Sequence, residues 1–164
     1  MNVATFLHDV LCGGLAAFGF GVLFNVSYRA LPWCMASGAL AVAVRSAALT
    51  CGLSLEAGSF FAALALGFAV FLLPSQAGIS RGALHVVGCI PLIPGAFAAK
   101  AMLGLFAITT QRGASEQTLM TALGNSLHVL FTVGAIGTGL AIPTLLLQVR
   151  GQQQLRSSKT LESD

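Results

Sequence analysis

Charge is scarce in this chain. Asp, Glu, Lys and Arg make up 8% of its 164 residues, whereas an ordinary soluble domain carries roughly a quarter. With 56% hydrophobic residues and a mean hydropathy of +0.88, the shortage excludes a water-soluble globule and predicts an all-α integral membrane protein. The length suits four or five spans of about 20 residues joined by short loops. No room is left for a soluble catalytic domain. The net charge of +3 reads as loop bias rather than nucleic-acid affinity.

Other absences narrow the reading further. Cys12, Cys34, Cys51 and Cys89 lie in or at the ends of apolar runs, without paired metal-ligand spacing. They read as small buried hydrophobes, and neither a metal site nor a disulfide framework is expected. No His-Glu-x-x-His, phosphate loop or nucleophile elbow occurs, so neither an enzyme nor a cofactor is expected. No basic segment precedes the first apolar run, and Asp9 stands there instead. That run is therefore read as a retained span rather than a cleaved signal.

What is present is a series of apolar segments separated by polar turns. The first span is expected over His8 to Val26, with Gly13, Gly14, Gly19 and Gly21 thinning its faces for close helix contact. Tyr28, Arg29 and Trp33 then make a headgroup-level anchor. A second span is expected over Leu31 to Leu53, with Pro32 suited to its first turn and Arg45 inside it. Ser54 and Glu56 form a tight turn into a third span, Ala57 to Leu73, where Ala63 and Gly67 offer a small-residue face. A fourth, Ala83 to Ile108, contains Lys100. A fifth, Leu119 to Leu147, contains Asn125 and His128 and exceeds the bilayer's needs, so it must tilt, protrude or bend near Pro143. Residues 1–150 thus form a membrane domain, and 151–164 a polar cytoplasmic tail expected to lack structure.

The fourth span is interrupted by Ile90-Pro91-Leu92-Ile93-Pro94-Gly95. Two prolines and a glycine within five positions disfavour a continuous helix and free backbone carbonyls. Such carbonyls must face protein or a wet cavity rather than lipid. The break suits either a kinked, packed helix or a transporter substrate site.

Counting at about 1.5 Å per residue puts Arg45 and Lys100 each roughly 12 Å from the outer ends of their spans. Asn125 and His128 come out roughly 9 and 14 Å deep. No carboxylate is expected in that band, so an anion is needed to offset the cations. The helix restarting after Pro94 would aim free amides into the same region, favourable for a carboxylate. Snorkelling of Arg45 and Lys100 and simple interhelical packing of Asn125 and His128 remain the alternatives. Loop charge sets orientation: Arg29, Arg81, Arg150, Arg156 and Lys159 share one side, and Arg112 lies opposite with Asp9, Glu56 and Glu116. Five spans then put the N-terminus outside and the C-terminus in the cytoplasm.

Phe24-Asn25-Val26, Arg29-Ala30-Leu31, Trp33-Cys34, the Pro-x-x-Pro-Gly run and Met102 together resemble the threonine/serine exporter (ThrE) family. The likeness covers about Gly14 to Arg150 and is strongest to the short C-terminal half, the YjjB-type small subunit of a split exporter. It implies an inner-membrane subunit working with a larger membrane partner that resembles the family's N-terminal half. It also implies export of threonine, serine or a dicarboxylate such as succinate. Arg45 falls where the family tends to be basic, whereas Ala99 departs from a frequent aromatic.

The expected function is therefore that of a membrane subunit of a secondary exporter for small carboxylates or amino acids. Arg45, Pro91, Pro94, Gly95, Lys100, Asn125 and His128 are its candidate substrate-binding residues. The alternative is a scaffold that stabilises a transporting partner and binds no substrate.

Overall fold

The computed structural model describes residues 2–72, 80–110 and 115–161, the last fifteen as backbone only. The described residues form helices α1 (Val3–Leu23), α2 (Leu31–Thr50), α3 (Leu55–Leu72), α4 (Arg81–Cys89), α5 (Gly95–Thr110) and α6 (Glu116–Leu161), with a 3-10 turn, Ile90–Leu92, between α4 and α5. The expected polar stretches around Pro74 and Arg112 lie outside them, as do the side chains of Arg150, Arg156 and Lys159.

Local chemistry accounts for most helix ends. Asn25 and Gly52 adopt left-handed conformations, φ 54° and 82°, and close α1 and α2 with the same paired bonds. Val26 and Asn25 donate to Gly21 and Val22, and Leu53 and Gly52 donate to Ala48 and Leu49, so the last carbonyls are satisfied before the chain turns. The Ser54 and Ser80 hydroxyls accept from the amides of Ala57 and Ala83, each at 3.2 Å, at the starts of α3 and α4. Pro32 occupies the first turn of α2, where its missing N–H costs nothing.

Small residues hold the bundle together. A Cβ on Gly38 of α2 would stand 2.8 Å from the Gly13 carbonyl of α1, so these helices meet backbone to backbone. On the other side of the bundle, Gly67 receives the ring of Pro143, and Gly139 lies against Phe60 and Ala63. Pro143 sits inside continuous helix, its ring seated in the Gly67 notch. The central α2 packs on α1, α3 and α4, around a core that includes Cys34, Ala41, Ala62, Leu66, Val70, Val87 and Leu92.

Four helices are long and apolar enough to cross a membrane, and the bent pair Arg81–Leu92 and Gly95–Thr110, at 62°, brings the count to five when taken as one span. The all-α fold with one span broken at Pro-x-x-Pro-Gly is therefore as expected. The tail differs: α6 continues to Leu161 through residues expected to lack structure. Gln, Leu, Arg and Lys are good helix formers, and lengthening an existing helix needs no new nucleus.

The helix ends are staggered. α3 and α6 run parallel, with Gly139 beside Ala63 and Pro143 beside Gly67. Yet His128, twelve residues into α6, meets Glu56 in the first turn of α3. The start of α6 thus runs past α3 by about 16 Å and pairs there with α5, Gly104 against Ala122. This hairpin exposes large apolar side chains, including Met102 (72%), Leu103 (70%) and Phe106 (66%), as expected of surfaces that face lipid or another membrane chain.

Candidate functional site

A cleft of about 490 Å³ opens where α1, α2 and the start of α3 meet the break. Its lining comes from Asp9, Cys12 and Gly13 of α1, one face of α2 with Val42, Arg45, Ser46 and Leu49, Leu55 of α3, and Pro91 with Ile93 through Phe97. These are the N-terminal part of α1, the C-terminal part of α2 and the N-terminus of α3. In helices linked by short turns, they share one end of the bundle.

The break builds one wall. The 3-10 turn ends at Ile93, which is extended (φ −64°, ψ 127°), as the residue before Pro94 must be. The carbonyls of Pro91 and Leu92 then accept from Arg45, Nη2 at 3.2 Å and Nη1 at 2.9 Å. These freed carbonyls take a charged donor from α2 instead of facing lipid. Arg45 is half-buried, and its guanidinium has five N–H donors, so it keeps donors for a further partner. Past Pro94, the first-turn residues Gly95, Ala96 and Phe97 line the same space, and the positive end of α5 opens onto it.

Arg45, Pro91, Pro94 and Gly95 thus line one cleft, and the other three candidates, Lys100, Asn125 and His128, are not among its lining residues. Lys100 is exposed on α5, its Nζ 5.9 Å from the Phe97 ring centroid. Asn125 is half-buried on α6. His128 places Nδ1 2.6 Å from Oε1 of Glu56 and its ring 5.3 Å from Phe97. Phe97 is therefore a shared wall, with the Arg45 cleft on one side and the Glu56–His128 pair on another.

The expected absence of carboxylates from this region is corrected. Asp9 lines the cleft with Arg45, and Glu56 holds His128. The reason is register. The first helix begins at Val3, so Asp9 sits well inside it rather than at its mouth. The stagger of α6 brings His128 level with the start of α3. The cysteines are corrected too: Cys34 and Cys89 are buried, but Cys12 and Cys51 are exposed, and Cys12 lines the cleft.

Asp9, Cys12, Ser46 and Phe97 line the cleft but were not among the substrate-binding candidates read from the sequence. Asp9 carried a usable signal, as an acid within an apolar run. Phe97 carried none, because an aromatic in an apolar helix is unremarkable. Among the described residues, no cluster of three or more His, Cys, Asp or Glu side chains could hold a metal ion.

A half-buried arginine at a helix break, lining an open cleft in a multi-span bundle, is an arrangement suited to moving a small anion-bearing solute. A family model described as Threonine/Serine exporter, ThrE, matches residues 9–146, a range that includes the whole cleft. The chain belongs to the threonine/serine exporter family. Its members are transporters rather than enzymes, and this exporter is accordingly a multi-pass membrane protein of the threonine/serine export class. No solved structure matches the chain.

Proposed function

We propose that this exporter is one subunit of a two-component secondary exporter, and that the Arg45 cleft seats the carboxylate of its small substrate. Arg45 and the first-turn amides of Ala96 and Phe97 supply the anion-binding donors. The larger partner resembles the N-terminal half of the family. The complex sits in the cell inner membrane, with the N-terminus outside and the C-terminus cytoplasmic. Movement about Ile93 and Pro94 would expose the cleft to alternate sides. In the absence of a phosphate-loop motif, an ion gradient or the substrate's own gradient supplies the energy.

The observation that carries this reading is the position of Arg45, at once bonded to the break and lining the cleft. The same bonds favour a second reading, a scaffold in which Arg45 clips the broken span and no solute binds. Labelling of a cysteine placed at Ala96, which lines the cleft, separates the two: small carboxylates protect it in the first reading and no solute does in the second. Export from cells expressing this chain with its partner then tests Arg45. In the first reading, Arg45→Lys, which keeps a cation but loses the fork, retains part of the export and Arg45→Ala abolishes it. Normal export by Arg45→Ala at normal expression would remove the substrate role.

A further inference from the structure

Opposite charges line the cleft without forming an ion pair. Asp9 and Arg45 both line it, and Asp9 lies within electrostatic reach of Arg45. Among the described residues, however, the ion pairs are His8–Asp9, at 3.7 Å, and His128–Glu56. Arg45 is held back by the carbonyls of Pro91 and Leu92. Asp9 has a short side chain fixed to α1. Its neighbour His8 is 75% exposed and leaves Asp9 itself 44% exposed. A cation and an anion that line one cleft without pairing both gain from a guest that carries the complementary pair.

We propose that Asp9 is the ammonium-binding residue of this exporter and makes its cleft selective for zwitterionic amino acids over dicarboxylates. The inference rests on the carboxylate-binding reading above and adds the second pole of the substrate. The amino group donates to Asp9 while the carboxylate meets Arg45 and the first-turn amides of α5. A dicarboxylate such as succinate turns its second carboxylate towards Asp9 and is repelled. Ser46 supplies a hydroxyl to the otherwise largely apolar lining, available to a hydroxylated side chain. Cleft volumes of this order hold small solutes together with some water.

Cys12 is a native reporter, since it is exposed and lines the cleft. The experiment measures maleimide labelling of Cys12 in membrane vesicles from cells expressing the full chain with its larger partner, with Cys51→Ser removing the other exposed thiol. L-Threonine, N-acetyl-L-threonine and succinate are the protecting solutes. L-Threonine is expected to protect at concentrations at least about tenfold below the other two, the worth of a charged hydrogen bond. Asp9→Asn should raise the threonine concentration for half-protection about tenfold and abolish its advantage over the N-acetyl compound, with Asp9→Glu retaining most of it.

Unchanged threonine protection in Asp9→Asn would overturn the role of Asp9 and leave the carboxylate seat standing, as would stronger protection by succinate. If no solute protects Cys12, the carboxylate-binding reading fails and this inference with it. If the Asp9 variants do not accumulate, the wild-type comparison decides: equal protection by threonine and its N-acetyl derivative overturns the proposal.

Discussion

Arg45 donates from Nη1 to the backbone carbonyl of Leu92 at 2.9 Å, across 47 positions of sequence. With the companion bond to Pro91, it ties the end of α2 to the point where the fourth span breaks. Any change in the bend of that span must therefore move or release this guanidinium. The residue nearest the hinge is also the cation exposed to the cleft, and the predictions below follow from that coincidence.

Arg45 and Lys100 should part company. Arg45→Ala removes two charged hydrogen bonds to the break and the cation of the cleft, and export should fall about tenfold to a hundredfold or more. Lys100 is exposed and is not among the residues lining the cleft, so Lys100→Ala should change export less than about threefold, within the range of an exposed charge. Matched export assays at equal membrane abundance check both. Equal losses from the two variants would put Lys100 in the site.

The contact between α1 and α2 should tolerate no side chain at Gly38. Gly38→Leu drives a branched chain into the Gly13 backbone and should cost about 1–3 kcal/mol, read as a lower melting temperature in detergent. Gly19 lies on α1 with open space around it. Gly19→Leu should be neutral or slightly stabilising, because leucine is the better helix former.

Glu56 and His128 are joined across α3 and α6 at 2.6 Å, with side chains 25% and 52% exposed. Solvent screening at that exposure limits their coupling to about 0.5–1 kcal/mol. A double-mutant cycle with Glu56→Gln and His128→Ala, followed by thermal unfolding, measures it. The coupling should shrink as salt is raised. A zero coupling energy at low salt would show that the pair is incidental.

The cysteines should fall into two classes. Cys12 and Cys51 are exposed and should label with maleimide in intact membranes, whereas Cys34 and Cys89 are buried and should label only after denaturation. Both reactive thiols lie at the cleft end of the bundle, near the Asp9 side of α1 and just after α2. A membrane-impermeant reagent applied from outside the cell should reach them if the N-terminus is external, and labelling only from the cytoplasmic side would reverse the orientation.

The residues of the chain differ in how far they could be read without coordinates. Hydropathy marks the apolar segments, and Pro91, Pro94 and Gly95 mark the break, because helix formation and its interruption are decided by neighbours in sequence. The same local chemistry places Pro32 at a helix start and gives Ser54 and Ser80 their capping positions. Lys100 was paired with Arg45 by counting depth along separate spans. That count ignores the 62° bend and the rotation of each helix about its axis, so of two residues counted to equal depth only Arg45 lines the cleft.

The sequence by itself determined an all-helical membrane protein and the site of its interruption, and marked Arg45 as a charge within a span. Each of these follows from local backbone chemistry and from the cost of placing charge in hydrocarbon. The tertiary structure alone decided that Asp9 shares the cleft of Arg45, that Glu56 holds His128, and that Cys12 lies open beside them. Those pairings depend on how far one helix slides and turns against the next. Small-residue contacts such as Gly13 with Gly38 and Gly67 with Pro143 set that packing, and no residue declares it alone.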